Sequence, residues 1–288
     1  MDILEPGFRQ IFFNQYAQIP TTYDKIFHVL KSTKQDEYDS SVSGFGRLVE
    51  TTEGAPVTYE NLLQEYDTYY THKKYTKGFQ VTREMWEDDQ YGVMKKAPAA
   101  LALTTVRTVE NVTGDIFDNA FTSGTGGDGK YLCDTEHPRI DGGTAISNVG
   151  TSALDEDGIE TALVAMRGTL DGKGQKILVR PDTLLIPKEL ELETAVLMKS
   201  TGRTGTNYNE INAYQGRFNV IVWDYLDNTK QWYLLDSGLH ELNFFWRIRP
   251  EFSQDESFDT DAALYKVRAR WSQGWSDWRG VYGSTGTA

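Results

Sequence analysis

Residues Gly124 to Tyr131 read G-T-G-G-D-G-K-Y, one residue short of the phosphate-cradling pattern G-x-x-x-x-G-K-[ST]. In that pattern backbone amides wrap a phosphate, the lysine reaches its outer oxygens, and a hydroxyl holds magnesium. Here Tyr131 stands where the hydroxyl residue belongs. Just downstream, Cys133 and His137 are four residues apart, a spacing that brings a thiol and an imidazole together only on a helix, and Pro138 follows directly. The remaining histidines, His28, His72 and His240, are distant in sequence. The loop therefore poses three readings: a nucleotide site, a metal site, or a turn with a buried thiol and a turn histidine.

The surrounding elements favour the turn. A phosphate cradle needs a strand before it and a helix after it, so that the helix N-terminus faces the anion. The order here is reversed. Asp88 to Phe121 has helical periodicity through Val93, Ala97, Leu101, Thr104, Thr108, Val112, Ile116 and Ala120, with Ser123-Gly124 as its stop and a kink expected near Lys96 because of Pro98. About 30 helical residues would span about 45 Å, long for a compact domain. Lys130 to Cys133 reads as extended. No G-x-S-x-G, H-E-x-x-H, C-x-x-C or helix-opening G-x-G-x-x-G occurs, and FSQDESFDTDAAL lacks calcium-loop spacing and reads as a solvated bend. No catalytic, cofactor-binding or metal-binding residue is expected.

The composition narrows the classes further. The chain has 288 residues with ordinary hydrophobic content and 16 Tyr, 13 Phe and 7 Trp, which suits a folded protein of one large or two modest domains. One cysteine excludes an internal disulfide and fits a reducing cytoplasm. No apolar run spans a bilayer, and the first residues lack the pattern of a secretory signal. Net charge is −13, from 29 Lys and Arg against 42 Asp and Glu, which argues against sequence-specific DNA binding.

Along the chain, residues 1–45 mix aromatics and polar residues in short amphipathic pieces. They read as an arm that finds its core elsewhere, or as an N-terminal part of the same core. Residues 46–84 read as an extended β-hairpin broken at Gly54-Ala55-Pro56, rich in Tyr and Thr and poor in apolar residues. Such a hairpin buries little alone and must lie against something. A second helix follows, capped by Ser152 or Asp155 with Ile159, Leu163, Met166 and Leu170 on its face. A third begins with Pro187 at its first position. FNVIVWDYL and QWYLLD read as a hairpin turned at Asp227 to Lys230, and residues 200–216 as an exposed mobile loop. The interleaved order gives an α+β fold.

Four stretches in order carry a resemblance. QVTREMWEDD, NAFTSGTGGDGKYLCDTEHPRIDGGTAISN, RPDTLLIPKELELETAVLMKS and DESFDTDAALYKVRARWSQGWSDWRGVYGS resemble motifs of the tailed-phage major capsid protein family, over about residues 44 to 284 and closest to Mu-like major head subunits. The resemblance implies the Hong Kong ninety-seven coat fold. Its expected parts are an N-terminal arm (1–45), an extended loop (46–84), a peripheral domain on a long spine helix (85–177), an axial domain (178–238) and a return to the peripheral domain (239–288). It implies a structural protein, not an enzyme, that self-assembles into hexamers and pentamers of an icosahedral shell. The expected partners are portal and scaffold proteins and packaged double-stranded DNA held without sequence recognition, with no membrane and no cofactor. The expected location is the virion, after assembly in host cytoplasm. The chain opens directly on an arm-like sequence, so scaffold is expected as a separate protein or as already removed. Expected intersubunit contacts are Tyr59, Tyr69, Tyr70, Tyr75, Lys73, Lys74, Phe12 and Phe13. Lys73, Lys74 and Lys77 lie in or near the hairpin, but no partner Asn or catalytic Glu for a covalent crosslink is identifiable. The alternatives are a cellular nanocompartment shell of the same fold and a nucleotide-dependent enzyme built on the Gly124 loop.

Overall fold

The computed structural model describes residues 4–88, 92–202, 211–257 and 262–287. The chain opens with α1 (Leu4–Gln18), α2 (Tyr23–Ile26), β1 (His28–Lys31), β2 (Asp36–Val42), β3 (Gln64–Thr71), β4 (Lys73–Thr82) and α3 (Arg83–Glu87). The long helix α4 (Lys96–Asp118), β5 (Val149–Gly150), α5 (Glu156–Arg167), β6 (Thr183–Ile186) and α6 (Glu191–Lys199) follow. Strands β7 (Asn219–Val222), β8 (Trp232–Leu235), β9 (Leu242–Ser257), β10 (Ala262–Trp275) and β11 (Val281–Ser284) complete it. The elements form two compact units: residues 1–37, 70–113 and 243–273, and residues 38–69, 114–242 and 274–288.

The first unit is a four-stranded sheet in the order β1-β9-β10-β4, with β1 parallel to β9 and β4 antiparallel to β10. Its core joins Phe8 and Phe12 of α1 to Val81, Leu101, Ala102, Phe252 and Tyr265. Phe8 and Phe12 are one helical turn apart, so both rings leave one face of α1. They meet Tyr265 at 5.1 Å and Phe252 at 5.5 Å between ring centroids. The N-terminal segment is thus core of its own unit, which corrects its reading as an arm with its core elsewhere.

The helix α4 starts later than its periodicity suggested. Pro98 falls in its first turn, where a missing N–H costs nothing, and so produces a start instead of a kink. Its buried face runs through Ala102, Val106, Val109, Thr113 and Phe117, rotated from the expected stripe. Two contacts set that rotation. Glu110 is buried and accepts the amides of Thr22 (2.7 Å) and Tyr23 (3.4 Å). Gly114 lies so close to the Tyr225 carbonyl that an added Cβ would sit 2.9 Å from it. Thr104, Thr105 and Thr108 return their hydroxyls to carbonyls one turn back and tolerate partial exposure.

The second unit carries a five-stranded sheet in the order β5-β11-β8-β6-β7. Here β7 and β8 do not form the expected hairpin: β6 lies between them, parallel to β7 and antiparallel to β8. Leu184, Leu185 and Ile186 are fully buried, which suits a central strand and not an edge. Asp155 caps α5 by accepting the Gly158 amide at 2.7 Å, and Ile159, Leu163 and Met166 face the core with Leu197 and Met198 of α6. Pro187 precedes a short 3-10 turn, Lys188–Leu190, before α6 proper. Of the loop 200–216, residues 203–210 lie outside the described residues, as do residues 258–261 of the acidic bend between β9 and β10. No helix among the described residues is long and apolar enough to cross a membrane.

His72 gives the first unit a pH dependence. The ring is buried, with Ser32 Oγ 2.8 Å from Nε2 and Ser272 Oγ 2.9 Å from Nδ1. Burial, then Arg270 and Arg247, push its pKa below the ordinary histidine value, against the opposing Glu37 and Asp36. The folded state therefore takes the proton less readily than the unfolded chain. The stabilisation is complete above the unfolded pKa of about 6.5 and is lost as pH falls through the lower folded value, with a slope of at most ~1.4 kcal/mol per pH unit. Melting temperature should fall between pH 7 and 5 in the wild type and fall less in His72→Gln, as followed by thermal circular dichroism.

Candidate intersubunit surface and the glycine loop

Strands β2 and β3 pair as a separate two-stranded sheet, and between them the chain runs out through residues 43–63. Its base is closed by the Ser43 amide on the Leu63 carbonyl (2.8 Å) and its tip turns where the Ala55 amide reaches the Thr52 carbonyl (3.1 Å), with Gly54 at φ +83°. The two limbs between are not regular strands, unlike the expected hairpin. Two polar limbs without a third strand or a helix to cover them gain too little from pairing. One limb is held instead by charge: the Glu60 carboxylate accepts the Gly46 amide at 2.7 Å and meets Lys173 Nζ at 2.5 Å. Lys173 and that amide hold the Glu60 carboxyl below its ordinary pKa.

Along this loop apolar side chains face solvent. Leu48 is 97 % exposed, Tyr59 92 %, Val57 68 % and Phe45 60 %, with Val49 and Leu62 also exposed. A run of large apolar side chains with no cover marks an interaction site. At the loop's root, by contrast, the chain is firmly seated. Arg279 is buried and joins Glu65 (3.1 Å) to Asp277 (2.8 Å), and Tyr66 Oη donates to the Pro138 carbonyl at 3.1 Å.

The expected contact residues divide. Tyr59 and Tyr69 are exposed, Tyr69 in ring contact with Tyr38 at 5.0 Å. Lys73 and Lys74 are exposed on β4, an outer strand of its sheet. Tyr75 stacks at 3.8 Å on Trp271 and is half-buried. Phe13 is half-buried, and Phe12 and Tyr70 need correction. Phe12 is 0 % exposed in the α1 core, and Phe13 packs beside it at 5.1 Å. Tyr70 is buried against Phe245 at 4.9 Å. Side chains already spent on their own core cannot serve a neighbour. Sequence reasoning missed Phe45, Leu48 and Val57 because scattered apolar residues in a polar stretch look like weak strands. It missed Lys173 because the sequence around it reads only as a turn.

The glycine loop is spent internally as well. Gly124, at φ +83°, ends the helical region as a left-handed residue and lies against Trp275. His137 is fully buried: Nδ1 lies 2.6 Å from Asp128 Oδ2 and Nε2 3.1 Å from Asn148 Oδ1, with the ring stacked on Trp278 at 4.1 Å. Asn148 Nδ2 donates to the Leu132 and Val281 carbonyls, and its Oδ1 accepts the Asp134 amide, so the amide orientation is fixed and His137 Nε2 donates to it. Lys130 points to Glu136 at 3.4 Å. Cys133 is buried, and burial raises its thiol pKa far above the ordinary value, so it is no nucleophile. Among the described residues no three His, Cys, Asp or Glu side chains gather to hold a metal.

This arrangement makes a clear prediction. Lys130→Ala should leave folding unchanged, and ATP should not raise the melting temperature, although a ligand at 100 times its dissociation constant would add about 2.7 kcal/mol. An ATP-dependent shift abolished by Lys130→Ala, read by differential scanning fluorimetry, would contradict it.

The mixed α+β fold is that of phage capsid proteins, as comparison with known proteins shows. The phage capsid protein family profile matches residues 65–284, and the chain belongs to that family. It is a major capsid protein of the shell. Among solved structures, the procapsid of bacteriophage JBD30 is similar at 20 % identity and TM-score 0.52, covering 98 % of this chain and 74 % of that one. Microbacterium phage Oxtober96 is similar at 9 % identity and TM-score 0.60, over 92 % and 91 %. The capsid of a native GTA particle is similar at 12 % identity and TM-score 0.57, over the same shares. No curated protein sequence matches the chain.

Proposed function

We propose that the chain is the major head subunit of a tailed phage, of the Mu-like kind, and that it closes into hexamers and pentamers around double-stranded DNA. The observation that carries this reading is the loop 43–63, whose exposed apolar residues are pinned by Lys173 and Glu60 in a form that offers them to another copy. In this reading residues 46–84 include the clasp, α4 is the spine of the peripheral domain (85–177), residues 178–238 form the axial domain at the ring centre, and residues 239–288 return to the peripheral domain. Of residues 1–45, residues 1–37 belong to the first unit, with Phe8 and Phe12 in its core, instead of forming a free arm. Portal and scaffold proteins are partners during assembly in the host cytoplasm. In this reading the glycine loop is a structural turn and not a nucleotide site, because its side chains are already committed to one another. The excess of 42 acidic over 29 basic residues suits a wall that surrounds duplex without gripping it.

Size-exclusion chromatography with light scattering tests this. The purified chain should elute as five- and six-subunit rings or larger shells, and should bind duplex DNA more weakly than about 1 μM even at about 50 mM salt, where phosphate contacts are strongest. A strict monomer, or submicromolar binding with a steep salt slope, would contradict it.

A further inference from the structure

Helices α5 and α6 each bury one face in the second unit's core and leave the other outside. On α5, Val164 is exposed beside a cleft of about 420 Å³ between the helix and residues 211–217. The cleft is rimmed by Glu156 and Glu160 and by Arg167 and Arg217, and it holds Val164 and Ile211, the latter 86 % exposed. On α6, Leu192, 76 % exposed, and Val196 lie one turn apart and form an apolar stripe flanked by Glu193 and Lys199. One surface is concave and the other is a helix ridge, and both carry uncovered aliphatic side chains.

Their charges match in one orientation. Each helix is acidic at its N-terminal end and basic at its C-terminal end, as the helix dipole favours. Laid parallel, like charges would meet. Laid antiparallel, Glu193 meets Arg167 and Lys199 meets Glu160. At 1.5 Å per residue the spacing from Glu160 to Arg167 is about 10.5 Å and from Glu193 to Lys199 about 9 Å, so both pairs form together. Neither Arg167, Glu160, Glu193 nor Lys199 is ion-paired among the described residues.

Both faces are exposed within one chain, so their partner is another copy. We infer that α6 of one copy docks antiparallel along α5 of the next, with Leu192 and Val196 in the cleft against Val164 and Ile211. Joining unlike surfaces makes the contact heterologous, and repetition around an axis closes a ring. The inference rests on the shell reading and names the surface that builds its rings.

Charge reversal in the full chain tests it. Arg167→Glu and Glu193→Arg should each reduce ring assembly roughly tenfold or more with melting temperature unchanged, since like charges at an interface suppress pairing. The double variant should recover five- and six-membered rings. An equimolar mixture of the single variants should recover six-membered rings only, because alternating copies cannot close an odd ring. Native mass spectrometry reads all four samples. Single variants that assemble like the wild type overturn the inference, as does a folded double variant or a mixture that stays monomeric. A wild-type chain that is itself monomeric overturns the shell reading, and the inference with it.

Discussion

Replacing residues 44–62 with a short Gly-Ser linker should leave a soluble subunit that unfolds cooperatively but no longer closes into shells. The deletion stops at Ser43 and Leu63 and so spares the bond that closes the loop, as well as the Glu65–Arg279 pair and the Tyr66–Pro138 bond. Within the chain it removes chiefly the Glu60–Lys173 pair, in which the Glu60 side chain is exposed to solvent, and such pairs contribute little to stability. Melting temperature should shift by only about 2–4 °C. Between copies the loss is far larger. Phe45, Leu48, Val49, Val57, Tyr59 and Leu62 are all exposed, and each large side chain that a neighbour buries contributes about 1.5–3 kcal/mol before the costs of association. Melting curves and light scattering of the deletion variant check both halves. Failure to fold would place the loop in the subunit core, and normal particles would show that it is not the clasp.

His137→Ala should be the most destabilising single change in the glycine region, by about 3–5 kcal/mol. The Asp128 side chain is only 4 % exposed, and its short bond to His137 is buried, so truncating the ring strands a carboxylate in the interior. It also removes the ring stacked on Trp278 and one of the bonds to Asn148 Oδ1. Melting temperature should drop by roughly 10 °C. Asp128→Asn should cost less, because an uncharged amide can still hydrogen-bond the imidazole, and Lys130→Ala should cost almost nothing, its ion pair being solvent-facing. Urea titration of the three variants orders them. A His137→Ala variant within 1 kcal/mol of wild type would mean that the network is not what holds the loop.

The parts of this fold that the sequence announces are those in which local chemistry and tertiary context agree. Asp155 is a helix cap both by type and by its bond to Gly158. The reversed order of helix and glycine run argues against a phosphate cradle from the sequence alone, and His137 explains what the loop is for: it ties the turn after α4 to Asn148 and Trp278. Where tertiary context decides, the sequence misleads. β7 and β8 are neighbours in sequence with a good turn between them, yet β6 takes the place between them in the sheet. The aromatic residues of α1 fit an arm or a core equally well, and only the facing Tyr265 and Phe252 make them core. The exposed loop proposed as the contact surface is legible as a region, through its tyrosines and its Gly-Ala-Pro break, but its exposed residues are not legible one by one. Tyr70 and Tyr59 look alike in sequence and differ only in what covers them.

Negative-stain electron microscopy of the purified wild-type chain is the most direct test of the shell assignment. Closed icosahedral particles built from five- and six-membered clusters are the expected image, with empty fields after deletion of residues 44–62. Wild-type fields that hold only dispersed monomers at every concentration would contradict the account.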